Sequence, residues 1–241
     1  MVIDFHSHIL PGIDDGSKNS DMSLEMLRRM RASGVDLVVA TPHFYGSRRT
    51  LEQFLDRRNG SVRHLLGAIA DSKARENGEI PDIMLGAEVA FYSGLTREND
   101  LDRLCISGTN TLLLEMPFSV WTDFELNEVS SLCFDKGLRV VIAHLERYVS
   151  FQTKEMLQQL QRLPVYVQIN SGTLLHWQGR RQWLRMFADG EAKLLGSDAH
   201  NLTDRAPNLA EGREVIKRKL GQGVLDDIDS CAKSLLSVED E

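Results

Sequence analysis

The sequence has few cysteines, no long apolar run, no basic excess and no glycine-rich phosphate loop, and each absence removes a class of function. Its three cysteines, Cys105, Cys133 and Cys231, are odd in number, widely spaced and form no Cys-x-x-Cys pair, which fits reduced thiols in a reducing compartment. No stretch approaches the ~18 apolar residues of a membrane span, and the N-terminus lacks a basic region followed by an apolar one. The expected location is therefore the cytoplasm, without membrane insertion. Lys and Arg number 28 against 35 Asp and Glu, a net charge of −7. That balance leaves no surplus to neutralise nucleic-acid phosphates, so no nucleic-acid partner is expected.

What is present is a regular alternation. With 241 residues, 42% of them hydrophobic, the chain can bury a full core, and one domain spanning 1–241 is expected. Seven short apolar runs stand at 2–5, 35–40, 83–89, 111–116, 138–143, 165–169 and 192–196. Most lack strict alternation, as parallel strands buried on both faces do. Amphipathic stretches at 20–33, 50–77, 96–104, 123–136, 153–162, 178–189, 207–220 and 223–236 predict helices. Ser20 or Asp21 would cap the first, and Gly34 and Gly137 stand just past helix ends. Strand–helix alternation on this scale implies an α/β fold with a parallel sheet, closed most economically into a barrel. An open doubly wound sheet would need a glycine-rich loop after the first strand, and none occurs.

One spacing misleads. Cys133 and Arg139 stand in the C-x5-R relation of cysteine-based tyrosine phosphatases. Such a loop wraps phosphate between a strand and a helix N-terminus. Here the stretch closes a helix at Gly137 and leads into a strand, so the match is coincidental.

The residues just past each run carry the chemistry. The first strand ends in His6 and His8, two apart and thus on one face, and a Pro11-Gly12 turn returns Asp14 to that end. Later ends bring Thr41-Pro42-His43, Glu88, Glu115, His144 to Tyr148, Asn170-Ser171-Gly172, and Ser197-Asp198-Ala199-His200-Asn201. Five of the seven histidines fall in this set, whereas His64 and His176 lie in helix-like or loop stretches. In a parallel barrel these ends converge on one mouth. Imidazoles and carboxylates gathered there predict a polynuclear metal site.

This constellation resembles the polymerase-and-histidinol-phosphatase (PHP) family of metal-dependent phosphoesterases along nearly the whole chain. Within that family, the stretches 10–16 and 144–148 most resemble the bacterial manganese-dependent protein tyrosine phosphatases of capsule and exopolysaccharide operons. The resemblance implies a distorted seven-stranded TIM-like barrel and three divalent ions, manganese first, with iron or zinc as alternatives. It implies one metal on His6, His8, Glu88 and Asp198, and a second on Glu88, Glu115 and His144. Asp14, His43 and His200 would hold a third. Leu145 stands where this subgroup has proline.

Three divalent ions against four carboxylates leave the site positive, which suits a phosphate monoester attacked at phosphorus by a metal-bridging hydroxide. Arg147 and Arg205 are placed to grip the phosphate oxygens, and His43 or Asp198 to assist the leaving group. Phe44-Tyr45 would wall the mouth or pack in the core. The stretch 47–79 carries seven Lys/Arg against five Asp/Glu, either a guide for acidic phosphopeptides or a solvated helix face. The implied substrate is an autophosphorylated bacterial tyrosine kinase of polysaccharide assembly. A small-molecule phosphatase such as histidinol-phosphate phosphatase and a catalytically silent module are the alternatives, and the oligomeric state is open.

Overall fold

The first apolar run forms β1 (Ile3–Ser7), buried along its whole length. It pairs in parallel with β2 (Leu37–Ala40), and β2 with β4 (Asp82–Leu85). A second parallel sheet runs in the order β3 (His43–Phe44), β5 (Glu88–Ala90), β6 (Thr111–Glu115), β7 (Arg139–Ile142), β8 (Tyr166–Asn170) and β9 (Leu194–Gly196). The computed structural model describes residues 1–237, so residues 238–241 of the expected domain 1–241 lie outside the described residues.

Nine strand segments therefore appear where seven runs were expected. Beyond the end of the second run, 35–40, the chain passes Thr41-Pro42 and forms β3, while the third run breaks at Gly86-Ala87 and resumes as β5. Pro42 has no N–H to donate to a ladder. Its carbonyl still accepts from Glu88 N–H at 3.0 Å, and Ala40 O accepts from Gly86 N–H at 2.8 Å, so the two kinked runs stay side by side. At the far edge β9 returns to β1. His8 N–H donates to Ala199 O at 2.9 Å and Asp198 N–H to His6 O at 2.8 Å.

The helices follow the predicted stretches closely: α1 (Ser20–Ala32), α2 (Leu51–Ser72), α3 (Asp123–Phe134), α4 (Lys154–Arg162), α5 (Arg180–Ala188), α6 (Leu209–Leu220) and α7 (Gln222–Leu236). The cap of α1 is Asn19 rather than Ser20 or Asp21, its carboxamide oxygen accepting from Met22 N–H at 2.9 Å. Thr50 with Gln53, and Thr122 with Glu125, form reciprocal capping boxes on α2 and α3. The expected helix at 96–104 is instead two short 3-10 turns, Leu95–Arg97 and Leu101–Leu104. Among the described residues no helix is long and apolar enough to cross a membrane.

Inward-facing Phe5, Val39, Leu113, Val141 and Leu194 pack together, and Ala232, Leu235 and Leu236 of α7 join them. Thr111 Oγ1 donates to Leu235 O at 2.8 Å, and the Arg139 guanidinium donates to Ser234 O and Leu235 O at 2.8 and 3.0 Å. Thus α7 stops the N-terminal end of the strands, and Arg139 satisfies its last carbonyls. Cys133 belongs to α3, half-buried, with its thiol pushed up to about 11 by burial. The C-x5-R match has no phosphate loop behind it.

Candidate metal centre

At the opposite end, His6 and His8 extend from β1 side by side, both fully buried, with their Nε2 atoms 3.1 Å apart. Glu88, opening β5 and also fully buried, meets both: its Oε2 lies 3.3 Å from His6 Nε2 and 3.2 Å from His8 Nε2. The same Oε2 is 2.9 Å from His43 Nδ1, while Oε1 is 2.7 Å from His144 Nε2. Glu115, ending β6, adds an oxygen 3.7 Å from His144 Nε2 and another 4.0 Å from His43 Nδ1. Asp198 Oδ1 stands 3.4–3.6 Å from His6, His8 and His200.

Local backbone geometry aims several of these groups. His144 and Asp198 have φ of 31° and 53°, the left-handed region that L-residues enter at a cost of roughly 1–2 kcal/mol. Gly16 closes the turn after Asp15 so tightly that a Cβ there would sit 2.4 Å from His8 O. Leu145 is the first residue of a 3-10 turn (Leu145–Arg147) and packs in the core. At that position an N–H has no intrahelical partner, so a proline there would forfeit no hydrogen bond.

A shell of acceptors then sets which imidazole nitrogen faces the centre. His6 Nδ1–H donates to Gln168 Oε1 at 3.2 Å, and His200 Nδ1–H donates to Asp198 O at 2.9 Å. His8 Nδ1–H donates to Asp14 Oδ2 at 2.8 Å. In each case Nε2 is left as the inward lone pair. Gln168 also accepts from His144 N–H and donates to Asn170, whose amide donates to Asp198 Oδ2 at 2.9 Å.

Electrostatics follow from crowding. Burial pushes the Glu88 and Asp198 carboxyls up, but the surrounding imidazoles hold both well below the usual range. Glu115 is pushed up to about 7 by burial and by Glu88, and His200 down to about 4 by burial and by His8. Buried Glu88 Oε2 and His200 Nε2 have no hydrogen-bond partner among the described residues, a costly arrangement unless a cation satisfies them. The donors fall into four groups that could hold an ion: His8-Asp15-His43-His200, His6-Glu88-His144, His6-His8-Asp198 and His43-Glu88-Glu115. Nitrogen and oxygen donors without thiolate fit manganese, iron or zinc.

Eight of the nine expected ligands meet in these groups, and the ninth, Asp14, stands outside them. Asp14 is spent on His8 and on the backbone N–H groups of Gly16 and His43. Its neighbour Asp15 instead places Oδ1 3.5 Å from both His43 Nε2 and His200 Nε2. Gln168 was missed, although a polar residue two before the strand-end Asn170, in an otherwise apolar strand, is a readable sign.

Both expected arginines reach the rim. Arg205 Nη2 is 2.8 Å and Arg147 Nη1 3.9 Å from Asp198 Oδ2, and the Arg147 guanidinium lies 4.8 Å over the exposed Phe118 ring. Of the Phe44-Tyr45 pair, Phe44 is core, packed on Phe54, and Tyr45 stacks on His43 at the mouth with ring centroids 5.1 Å apart.

A parallel α/β sheet whose strand ends gather imidazoles and carboxylates around shared oxygens defines an α/β protein with a candidate multi-metal centre. The chain belongs to the CpsB/CapC family of capsular polysaccharide synthesis, which it matches over residues 2–235. It is 28% identical over 233 residues to the tyrosine-protein phosphatase CpsB of Streptococcus agalactiae serotype III (strain NEM316), covering 92% of each chain. To the tyrosine-protein phosphatase YwqE of Bacillus subtilis (strain 168) it is 29% identical over 236 residues, 91% of this chain and 85% of the other. A crystal structure from work on YwqE of Bacillus subtilis and CpsB of Streptococcus pneumoniae, described as unique metal-dependent tyrosine phosphatases, shares the fold. Its TM-score is 0.79 at 24% identity, over 99% of this chain and 96% of that one.

Proposed function

We propose that this protein is a metal-dependent tyrosine-protein phosphatase of polysaccharide assembly. The observation that carries the reading is the double role of Asp198. Its Oδ1 sits among the imidazoles of His6, His8 and His200, and its Oδ2 faces the guanidiniums of Arg205 and Arg147. A donor cluster is thereby joined to two planar cationic forks, the arrangement a phosphate monoester calls for.

His6, His8, Glu88 and Asp198 would hold one divalent ion, Glu88, Glu115 and His144 a second, and Asp15, His43 and His200 a third. When bound, such ions offset phosphoryl charge and bring the pKa of a water toward ~7. Arg147 and Arg205, both partly exposed, are free to leave Asp198 Oδ2 for the non-bridging phosphate oxygens. Phe118 on one side and Tyr45 on the other would flank the substrate ring. A departing phenol, with a pKa of about 10, needs little protonation. Of the two groups expected to help it, Asp198 has both oxygens and His43 both ring nitrogens engaged within the cluster, so either would act only through a bound water.

Taking β2 with β3, and β4 with β5, as single kinked strands, we read the fold as a distorted seven-stranded PHP barrel in one domain. The β1–β9 hydrogen bonds and a core running from Ile9 to Ile228 support that reading. Three free cysteines support a cytoplasmic location, and membership of a capsular synthesis family supports a tyrosine kinase of that process as substrate. The test is hydrolysis of a tyrosine phosphopeptide and of histidinol phosphate by stripped and manganese-loaded protein. Peptide turnover should vanish with chelator and return with manganese. Full turnover by protein shown to be metal-free, or a preference for histidinol phosphate, overturns the proposal.

A further inference from the structure

A cleft of about 280 Å³ opens directly from the donor cluster, with Asp15 and His43 at its inner end and Arg48 and Arg49 at its outer end. Tyr45 bridges the two, its ring 5.1 Å from that of His43 and 4.8 Å from the Arg48 guanidinium. The inner carboxylates are engaged, Asp14 by His8 and Asp15 by His43, His200 and Arg205. Glu52, next along α2, is held by Arg103. Arg48 and Arg49 are both exposed and, among the described residues, neither guanidinium has an ion-pair partner. They are held together by a turn in which both backbone N–H groups donate to Tyr45 O, at 2.9 and 3.1 Å.

We propose that this cleft is a second anion subsite, which takes a carboxylate or a phosphate carried by the substrate chain near the phosphotyrosine. The proposal rests on the phosphatase reading and names a substrate class for it: tyrosine-phosphorylated segments with a second negative group nearby. Spacing follows from the stack of rings. From His43 across Tyr45 to Arg48 is at most about 10 Å, the reach of about three extended residues at ~3.3 Å each. Two guanidiniums on one cleft wall suit either oxyanion, each able to bind it through paired N–H donors. The Tyr45 O–H and ring edge would line the path between the two anions.

The experiment compares three peptides: phosphotyrosine with neutral flanks, with aspartate three residues away, and with a second phosphotyrosine at that distance. Selectivity is the ratio of kcat/KM for each anionic peptide to that for the neutral one, measured on manganese-loaded wild-type protein and on R48Q/R49Q. The wild-type ratio should be about tenfold at low salt, shrinking with added salt, because exposed charges are screened. In R48Q/R49Q it should fall to about one. Which anionic peptide shows the larger ratio distinguishes a carboxylate site from a phosphate site. Loss of fold or of metal would slow all three peptides alike and leave the ratio in place. The same ratio is read without turnover as the Kd of fluorescein-labelled peptides carrying the non-hydrolysable phosphonodifluoromethyl analogue. If no phosphopeptide is hydrolysed yet the Kd ratio collapses in R48Q/R49Q, the phosphatase reading fails and the anion subsite stands. A wild-type ratio near one, or a ratio unchanged by the double substitution, overturns the subsite.

Discussion

Asp14 and Asp15 are neighbours with the same side chain, and their contacts differ in a way that a pair of substitutions separates. Asp14, with its side chain 5% exposed, accepts from His8 Nδ1–H at 2.8 Å and His43 N–H at 3.0 Å on one oxygen, and from Gly16 N–H at 3.0 Å on the other. In Asp14→Asn, whichever way the amide turns, its NH2 opposes at least one of those backbone N–H groups. One buried unpaired donor costs about 1–3 kcal/mol. Titration points to the same size. Burial alone would raise the Asp14 carboxyl, but its bond to His8 holds it at about 2 against an ordinary 3.8, worth about 2 kcal/mol. Because that folded-state value lies below the unfolded one, the contribution is complete above about pH 4 and is lost as pH falls toward 2. Metal-free Asp14→Asn at pH 7 should therefore melt about 5 °C lower than wild type, for a chain of this size. Its metal affinity should weaken about ten- to hundredfold, as His8 loses its orienting acceptor. Asp15, 64% exposed, makes no such bonds, so metal-free Asp15→Asn should melt as wild type but bind one ion fewer. Calorimetry of chelated protein and elemental analysis of reloaded protein measure both quantities. If Asp15→Asn lowers the metal-free melting point as much as Asp14→Asn does, or if neither alters metal content, the division of labour is wrong.

Arg205→Ala and Arg147→Ala should each keep the full metal content while lowering kcat/KM on a phosphotyrosine peptide about ten- to hundredfold, the scale of a charge-assisted hydrogen bond. Wild-type kinetics in both variants would remove the arginines from phosphate binding. Cys133→Ser should leave kcat/KM within about twofold, since the thiol is protonated at neutral pH and lies on α3, away from the cluster. A loss of several orders of magnitude there would restore a cysteine mechanism.

Most of the secondary structure was legible because its signals are local. Apolar runs marked where strands lie, periodic stretches marked helices, and glycine marked helix ends such as Gly34 and Gly137. Which ends of which strands carry polar residues was equally legible, since a parallel alternating fold sends every strand end to one side. That logic located His6, His8, His43, Glu88, Glu115, His144, Asp198 and His200 without coordinates. The choice of Asn19 over Ser20 as a cap lay within the few-residue uncertainty of boundaries read from pattern, whereas the helix expected at 96–104 was a wrong element type, replaced by two 3-10 turns.

What only the tertiary structure decided depends on contacts between residues far apart in the chain. Asp14 and Asp15 are indistinguishable in sequence; the tight Gly16 turn and the backbone N–H of His43, 29 residues away, assign one to orientation and the other to the cluster. The break at Gly86-Ala87 divided one continuous apolar run, and β3 formed past the end of another. Gln168 gained a purpose only when β8 came to lie between β7 and β9, where its oxygen meets His6 and its nitrogen meets Asn170. Arg139, part of a deceptive spacing with Cys133, was committed elsewhere by α7 folding back 95 residues later to present its carbonyls. Hydrophobic periodicity is a property of neighbours along the chain, whereas hydrogen-bond partnership in a buried site is a property of the closed fold, and only the folded chain holds that information.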